Sequence, residues 1–342
     1  MATITILNKG LTIDAPAGQT ILDTALNQGI DYPFGCHSGM CGACKSRLIA
    51  GSVELRAYSD FALSDEEREA GLILACRSVP QNDCIVIYDD DLEAPGHPLR
   101  TLEARVVEAQ PATHDILILK LEMPPDVAPF AFSAGQFASL MFPGAPARDY
   151  SMANRPNDGL LTFHIRHMPG GIVSPVVHAG SIVGSPVTVR GPFGTSYLRR
   201  KHSGPILCVA GGSGLAPMLS IIEEALQCGI PQQIVLYFGV RDERDLYLID
   251  HLDQLAGTHA NFSYIPVLSA VTGPTTRRTG TLADAISTDF ASLEGWKVYL
   301  AGPPIMAETV ITSVAARGVQ PADRHADPFY TAADQARLVS SA

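Results

Sequence analysis

The sequence predicts a multidomain protein built from a small α+β domain, an antiparallel β-barrel and a doubly wound α/β domain, in that order. Three observations carry this expectation. A loop rich in cysteine and glycine lies among short strand and helix signals in residues 1–92. Residues 102–202 hold strand signals separated by turn clusters, the pattern of an antiparallel barrel. Residues 203–342 alternate strand with helix, which points to a parallel sheet covered on both faces. A chain of 342 residues is long enough for three cores, and residues 93–101 are read as a linker.

In the first segment, TITIL and LTID are joined by NKG, a hairpin signal. TILDTALNQG has helical apolar spacing and stops at Gly29, a suitable residue just past a helix end. SRLIAG follows the cysteine loop as a strand, Ser64 and Glu67 form a capping box that opens a short helix, and CIVIY closes the segment as a strand. DDDLEAPGHPLR, residues 89–100, is acidic, then proline- and glycine-rich, without periodicity. LEARVVEA, DILILKLEM, FASLMF, LLTFHIRH and PVTVRG are the barrel strands, separated by turns such as FPGAPA and RPNDG. In the last segment the strands PILCVA, QIVLYFGV, NFSYIPVLS and KVYLAG alternate with the helices LAPMLSIIEEALQCG, RDERDLYLIDHLDQLAG and PPIMAETVITSVAARG.

Cys36, Cys41, Cys44 and Cys76 stand as C-x4-C-x2-C, a long gap, then C. That is the ligand spacing of a plant-type [2Fe–2S] cluster. Four thiolates and two sulfides concentrate negative charge that backbone N–H groups must meet. A loop folded so tightly needs glycines, and Gly35, Gly39 and Gly42 sit between the ligands. Zinc usually takes two close cysteine pairs, whereas Cys76 is followed by a seven-residue gap before Cys84. Cys41 and Cys44 alone form a C-x-x-C, but without the strand–helix start of a redox dithiol. Cys84, Cys208 and Cys228 lie in apolar surroundings and read as small buried hydrophobes. The ten histidines show no paired ligand spacing, so further metal sites are not expected.

Composition limits the partners. The net charge of −11 is uneven, at −7 over residues 1–92, +2 over 102–202 and −6 over 203–342, which argues against nucleic acid. An acidic first segment could steer toward a basic protein surface or simply be a solvated face. The longest apolar run, ILCVAGGSGLAPMLSII, is broken by glycines and a proline, so no membrane association is expected. The N-terminus lacks a basic stretch followed by an apolar one, and the cysteine pattern suits a reducing compartment, so a cytoplasmic location is expected.

AGGSGLAP, residues 210–217, turns a buried strand into a helix through three glycines and leaves N–H groups free for phosphate. RDYSMAN (148–154), HIRHMPGGIVS (164–174), GPFG (191–194), AGGSGLAP, YFGVRDERDLY and AGPPIM (301–306) occur in this order. The series resembles the ferredoxin–NADP reductase superfamily. With the N-terminal cluster motif, and with surroundings that resemble the β-grasp fold of plant-type ferredoxins, the chain is similar to the reductase components of multicomponent aromatic-ring-hydroxylating oxygenases. The naphthalene- and benzoate-dioxygenase reductases and phenol hydroxylase reductase are of this kind. The resemblance covers Ile4 to Tyr330.

The resemblance implies residue roles. Arg148 would pair with flavin phosphate as a fixed guanidinium fork. Tyr150 would pack on the isoalloxazine, and Ser151 would hydrogen-bond N5, the atom that accepts hydride. Gly171 and Ser174 would offer a helix start to the flavin pyrophosphate, and Ile165 and Arg166 would be cofactor-binding. Phe329 would cover the flavin's other face. Gly211, Gly212, Gly214 and Pro217 would cradle the nicotinamide dinucleotide, with Gly302 and Pro303 facing them. Relatives often carry a cysteine where this chain has Ala301, a difference expected to tune hydride transfer rather than abolish it. The acidic residues after Arg241 favour NADH, while Arg241 itself leaves NADPH use open.

The implied function is hydride transfer from NAD(P)H to FAD, then single electrons through the [2Fe–2S] cluster to a ferredoxin or terminal oxygenase protein. His37, Met40 and Lys45 around the cluster are candidates for the docking face. A stand-alone reductase of quinones or small acceptors, and a non-enzymatic iron–sulfur redox sensor, are the alternatives.

Overall fold

A computed structural model describes residues 2–59, 62–88 and 96–331. Two compact units divide the chain: one groups the residues up to Gly96 with the segment from Asp327, and the other holds His97–Ala326. Residues 89–95 of the stretch read as a linker lie outside the described residues, and the next strand starts at Arg100.

The first unit is an α+β fold around a five-stranded sheet. Its order is Leu11–Ala15, Ala2–Ile6, Cys84–Ile87, Lys45–Ala50, Leu72–Leu74. The N-terminal hairpin pairs Ile4 with Ile13 and Ile6 with Leu11. The alternation predicted by TITIL is observed, with Ile4 and Ile6 buried and Thr3 and Thr5 half-buried. Cys84–Ile87 runs parallel to the first strand. A helix, Ile21–Asn27, starts where the Thr20 side chain accepts from Asp23 N–H, and it buries Ile21, Leu22, Ala25 and Leu26. It ends as expected beside Gly29, with Gly29 N–H on Leu26 O and Ile30 N–H on Ala25 O. The Ser64–Glu67 capping box is present and opens helix Asp65–Glu69. A small hairpin-like pair, Val53–Leu55 with Ser78–Pro80, had no clear sequence signal because both strands are only three residues long.

In the second unit, six antiparallel strands follow the order Arg148–Ser151, Phe137–Met141, Pro186–Phe193, Arg100–Pro111, Ile116–Glu122, Leu161–Arg166. An antiparallel bridge from Met152 to Phe163 joins the two ends, so the sheet is nearly a closed barrel. Its interior is filled by Leu119, Leu121, Phe142, Phe163, Val187 and Val189.

The other sheet of this unit has the order Arg278–Thr279, Phe262–Leu268, Ile234–Val240, Ile206–Gly211, Lys297–Gly302, Arg324–Pro328. The first five strands pair in parallel. Ile206–Gly211 and Lys297–Gly302 are buried at every position, as sheet strands covered on both faces must be. The order reverses between these two neighbours, which makes their carboxyl ends the switch point where such sheets bind ligands.

Two expectations need correction. The helix read from RDERDLYLIDHLDQLAG begins only at Ile249, because Asp242 and Asp245 cap a single 3₁₀ turn and Tyr247 turns inward beneath Phe238. Cys228 is exposed rather than buried, since it sits at the C-cap of helix Leu215–Gln227, where the buried face has ended.

Candidate functional site

The four cysteines converge from two chain segments. Cys36, Cys41 and Cys44 lie on the loop between helix Ile21–Asn27 and strand Lys45–Ala50. That strand pairs Lys45 with Leu74, and Ala75 N–H donates to Cys44 O at 3.1 Å, which carries Cys76 to the loop. The thiols associate two by two, Cys36 with Cys41 and Cys44 with Cys76. A diiron cluster with two thiolates per iron asks for that arrangement. Backbone N–H groups already point at sulfur: Cys36 N–H at Cys41 Sγ (3.3 Å), and Ser38 and Met40 N–H at Cys36 Sγ (3.5 and 3.2 Å). Hydrogen bonding from Cys41, with help from Ser38 and Met40, pulls the Cys36 thiol down to about 5, while its partner Cys41 is pushed up. Within the second pair, Cys44 is lowered by its bond with Cys76, which is raised.

The surroundings fit the group. Gly39 has φ +78°, and a Cβ there would lie 2.7 Å from Arg77 Cγ. The Ser38 hydroxyl is buried and helps to lower the Cys36 thiol, as a donor beside an acceptor sulfur would. His37 holds the loop from outside by a 2.8 Å bond to Asp23, which lowers the Asp23 carboxyl to about 2. Of the three docking candidates, His37 is exposed at the rim and Lys45 pairs with Glu67 at 2.6 Å. Met40 is buried, and its carbonyl accepts from Tyr330 Oη at 3.0 Å, so its side chain offers no docking surface.

On the barrel, Arg148, Tyr150 and Ser151 form the strand whose register sets Phe137 opposite Ser151. Arg148 is exposed, Tyr150 half-buried and Ser151 buried. Tyr150 packs against the barrel core, and burial pushes its hydroxyl up to about 12. Gly171 and Ser174 stay together: Gly171 N–H bonds Met168 O at 2.9 Å, and Ser174 Oγ accepts from Met168 N–H at 2.9 Å. Ser174 is the second residue of the short helix Val173–Val177. The Ile165 side chain is wholly inside the barrel core, and its carbonyl is bonded by His178 Nε2 at 3.0 Å. Phe329 follows strand Arg324–Pro328, is half-buried and groups with the cysteine-bearing unit.

A cleft of about 320 Å³ opens at the switch point of the parallel sheet. Gly211, Gly212, Pro303, Arg166 and Arg241 all line it. Arg166, expected to bind cofactor, lies here with the nucleotide motifs. Gly214 and Gly302 form the close backbone approach behind the cleft, where a Cβ on Gly214 would lie 2.0 Å from Ala301 O. Pro217 is buried in the first turn of helix Leu215–Gln227. Asp242 and Glu243 do not line the cleft; Asp115 and Asp245 do. Asp115, Ser269 and Thr281 belong to no motif, and the only signal for Thr281 is its place as the N-cap of helix Leu282–Asp289. Apolar walls, two arginines and a glycine turn at a helix start suit a dinucleotide with an anionic centre.

Comparison with known proteins agrees with these three sites. Residues 4–81 match the 2Fe-2S iron-sulfur cluster binding domain, 103–197 the oxidoreductase FAD-binding domain and 208–312 the oxidoreductase NAD-binding domain. The chain is 40% identical over 316 residues to the ferredoxin–NAD(P)(+) reductase component of the naphthalene 1,2-dioxygenase system of Pseudomonas putida, covering 92% of this chain and 94% of the relative. It is 35% identical to the phenol hydroxylase P5 protein of Acinetobacter pittii, covering 97% and 96%. The crystal structure of an Amycolatopsis cytochrome P450 reductase superposes with a TM-score of 0.80 at 34% identity, covering 96% of this chain and 99% of that one. No helix among the described residues is long and apolar enough to cross a membrane. With paired thiols on its first unit and a flavin-type barrel beside a nucleotide cleft on its second, the chain belongs to the family of oxidoreductases that serve as reductase components of multicomponent oxygenases, with [2Fe–2S], FAD and NAD-binding domains.

Proposed function

We propose that this protein oxidises NADH and delivers single electrons to a ferredoxin or terminal oxygenase component of an aromatic-compound oxygenase system. The modules would be a cluster domain over residues 1–92, an FAD barrel that starts with strand Arg100–Pro111 rather than after a linker ending at 101, and a nucleotide domain from 203 to 326, before the segment that groups with the first unit. The observation that carries the reading is the two-by-two pairing of Cys36 with Cys41 and Cys44 with Cys76 under inward N–H groups, in one chain with the glycine-lined cleft.

When bound, FAD takes a hydride and releases electrons one at a time, and the [2Fe–2S] cluster carries single electrons. The protein's own residues position these groups. Arg148, exposed at the barrel edge, is assigned to the flavin phosphate, with Gly171 and Ser174 nearby in the chain's FAD motif. Tyr150 offers a half-buried aromatic face, and Ser151 a buried hydroxyl for the flavin ring edge. Gly211, Gly212 and Pro303 shape the cleft floor for the dinucleotide, and Gly214 and Gly302 let the two strand ends meet behind it. Asp115 and Asp245 also line the cleft, ion-paired with Arg166 and Arg241.

The test separates flavin from cluster. In Cys76→Ser the flavin should still be reduced by NADH, while cytochrome c reduction falls by about tenfold or more because one iron loses a thiolate. Undiminished cytochrome c reduction would contradict the proposed order of electron flow.

A further inference from the structure

The cleft's two arginines come from different sheets and are joined by one carboxylate. Asp115 lies on the turn between barrel strands Arg100–Pro111 and Ile116–Glu122. Its Oδ2 accepts from Arg166 Nε at 2.9 Å and from Arg241 Nη2 at 3.2 Å. Arg166 stands on barrel strand Leu161–Arg166, opposite Ile116, while Arg241 follows nucleotide-domain strand Ile234–Val240. The carboxylate is itself fixed: Thr113 Oγ1 donates to Asp115 Oδ1 at 3.0 Å and accepts from Asp115 N–H at 3.2 Å. Asp245 also holds Arg241, with Nε on Oδ2 at 3.2 Å and Nη2, the nitrogen shared with Asp115, on Oδ1 at 3.3 Å.

The geometry leaves a specific part of Arg166 free. Asp115 takes Nε, and Nη1 lies 3.6 Å from where a Cβ on Gly212 would be, at a residue that lines the cleft. A long side chain with several free torsions would not hold that edge in place unaided, and two neighbouring guanidinium groups would repel each other without an intervening anion.

We propose that Asp115 is a positioning residue for the nicotinamide dinucleotide: by holding Arg166 through Nε and Arg241 through Nη2, it presents a fixed cationic edge over the Gly211–Gly212 turn to the pyrophosphate. The inference rests on the nucleotide reading of the cleft. It makes a turn residue of the barrel domain part of the selection of a ligand bound by the neighbouring sheet.

The experiment compares holoenzyme carrying Asp115→Asn or Asp115→Glu with the unchanged protein, using NAD⁺ titration and anaerobic stopped-flow reduction of the flavin by NADH. Losing a charge-assisted orienting contact should raise the Kd for NAD⁺ and the NADH concentration for half-maximal reduction about tenfold in Asp115→Asn. The limiting rate of flavin reduction should stay within about threefold, because the reacting ring is elsewhere on the ligand. Asp115→Glu should recover most of the loss by keeping the charge. An unchanged Kd in Asp115→Asn, or a fall in limiting rate without a change in Kd, overturns the proposal. Should Asp115→Asn not fold, Asp115→Glu decides alone: its Kd must rise measurably, since its carboxylate is displaced by one methylene, and an unchanged Kd overturns the proposal. Failure of the unchanged protein to bind NAD⁺ would overturn the cleft reading itself, and this inference with it.

Discussion

Single residues decide whether the two strand ends of the nucleotide sheet can meet. Gly214 is the sharpest case, because its missing side chain leaves room for the Ala301 carbonyl. Gly214→Ala should cost about 1–3 kcal/mol through forced backbone displacement and should weaken NADH binding as the turn shifts. Thermal melting and the KM for NADH check this together; a variant unchanged in both would show that the close approach is not needed. Cys36, Cys41 and Cys44, and the glycines of AGGSGLAP, were legible in the sequence because they stand close together in the chain, with chemistry that few residue types supply. Asp115 was not legible. Its partners stand 51 and 126 residues away, and a Thr-His-Asp turn is ordinary among strand connections. Ile165, expected at a cofactor site, has its side chain sent into the barrel by strand alternation, which leaves its backbone as the part that could meet a ligand.

Elements are tied across the second unit by buried polar groups. His164, on barrel strand Leu161–Arg166, bonds Tyr247 Oη through Nδ1 at 2.9 Å, and Tyr247 Oη lies 3.4 Å from Gly212 O. Burial lowers His164 from 6.5 to about 3, so it stays neutral in the folded protein. Between those two values the unfolded chain binds more protons, so stability falls as pH drops below about 6.5, by about 2 kcal/mol at pH 5. His325, also lowered to about 3 by burial, acts with the same sign. Urea unfolding at pH 7 and pH 5 should show a smaller pH effect in His164→Gln than in the unchanged protein; an equal effect would contradict a buried neutral His164. At this scale the long strands and the helices Leu215–Gln227 and Pro304–Ala315 were readable from their periods. The late start of helix Ile249–Thr258 was not, because Tyr247 is drawn into a tertiary cluster that no local pattern announces.

The whole molecule combines three kinds of site whose ligands exchange electrons in different numbers. Its fold class was legible because each module has its own sequence period and its own motif. The grouping of the segment from Asp327 with the cysteine-bearing unit was not, since Tyr330 reaches Met40 across 290 residues of chain. The acidic charge of residues 1–92 is a whole-molecule feature that either steers toward a basic protein surface or is a solvated face. The central claim is that one chain takes hydride and stores both flavin and cluster electrons. An anaerobic titration of the purified protein with NADH, followed by visible absorption, tests it most directly. The account predicts that flavin bands and iron–sulfur shoulders both bleach, with an end point at about 1.5 equivalents of NADH for three stored electrons. A colourless protein, or a flavin that NADH leaves oxidised, would contradict it.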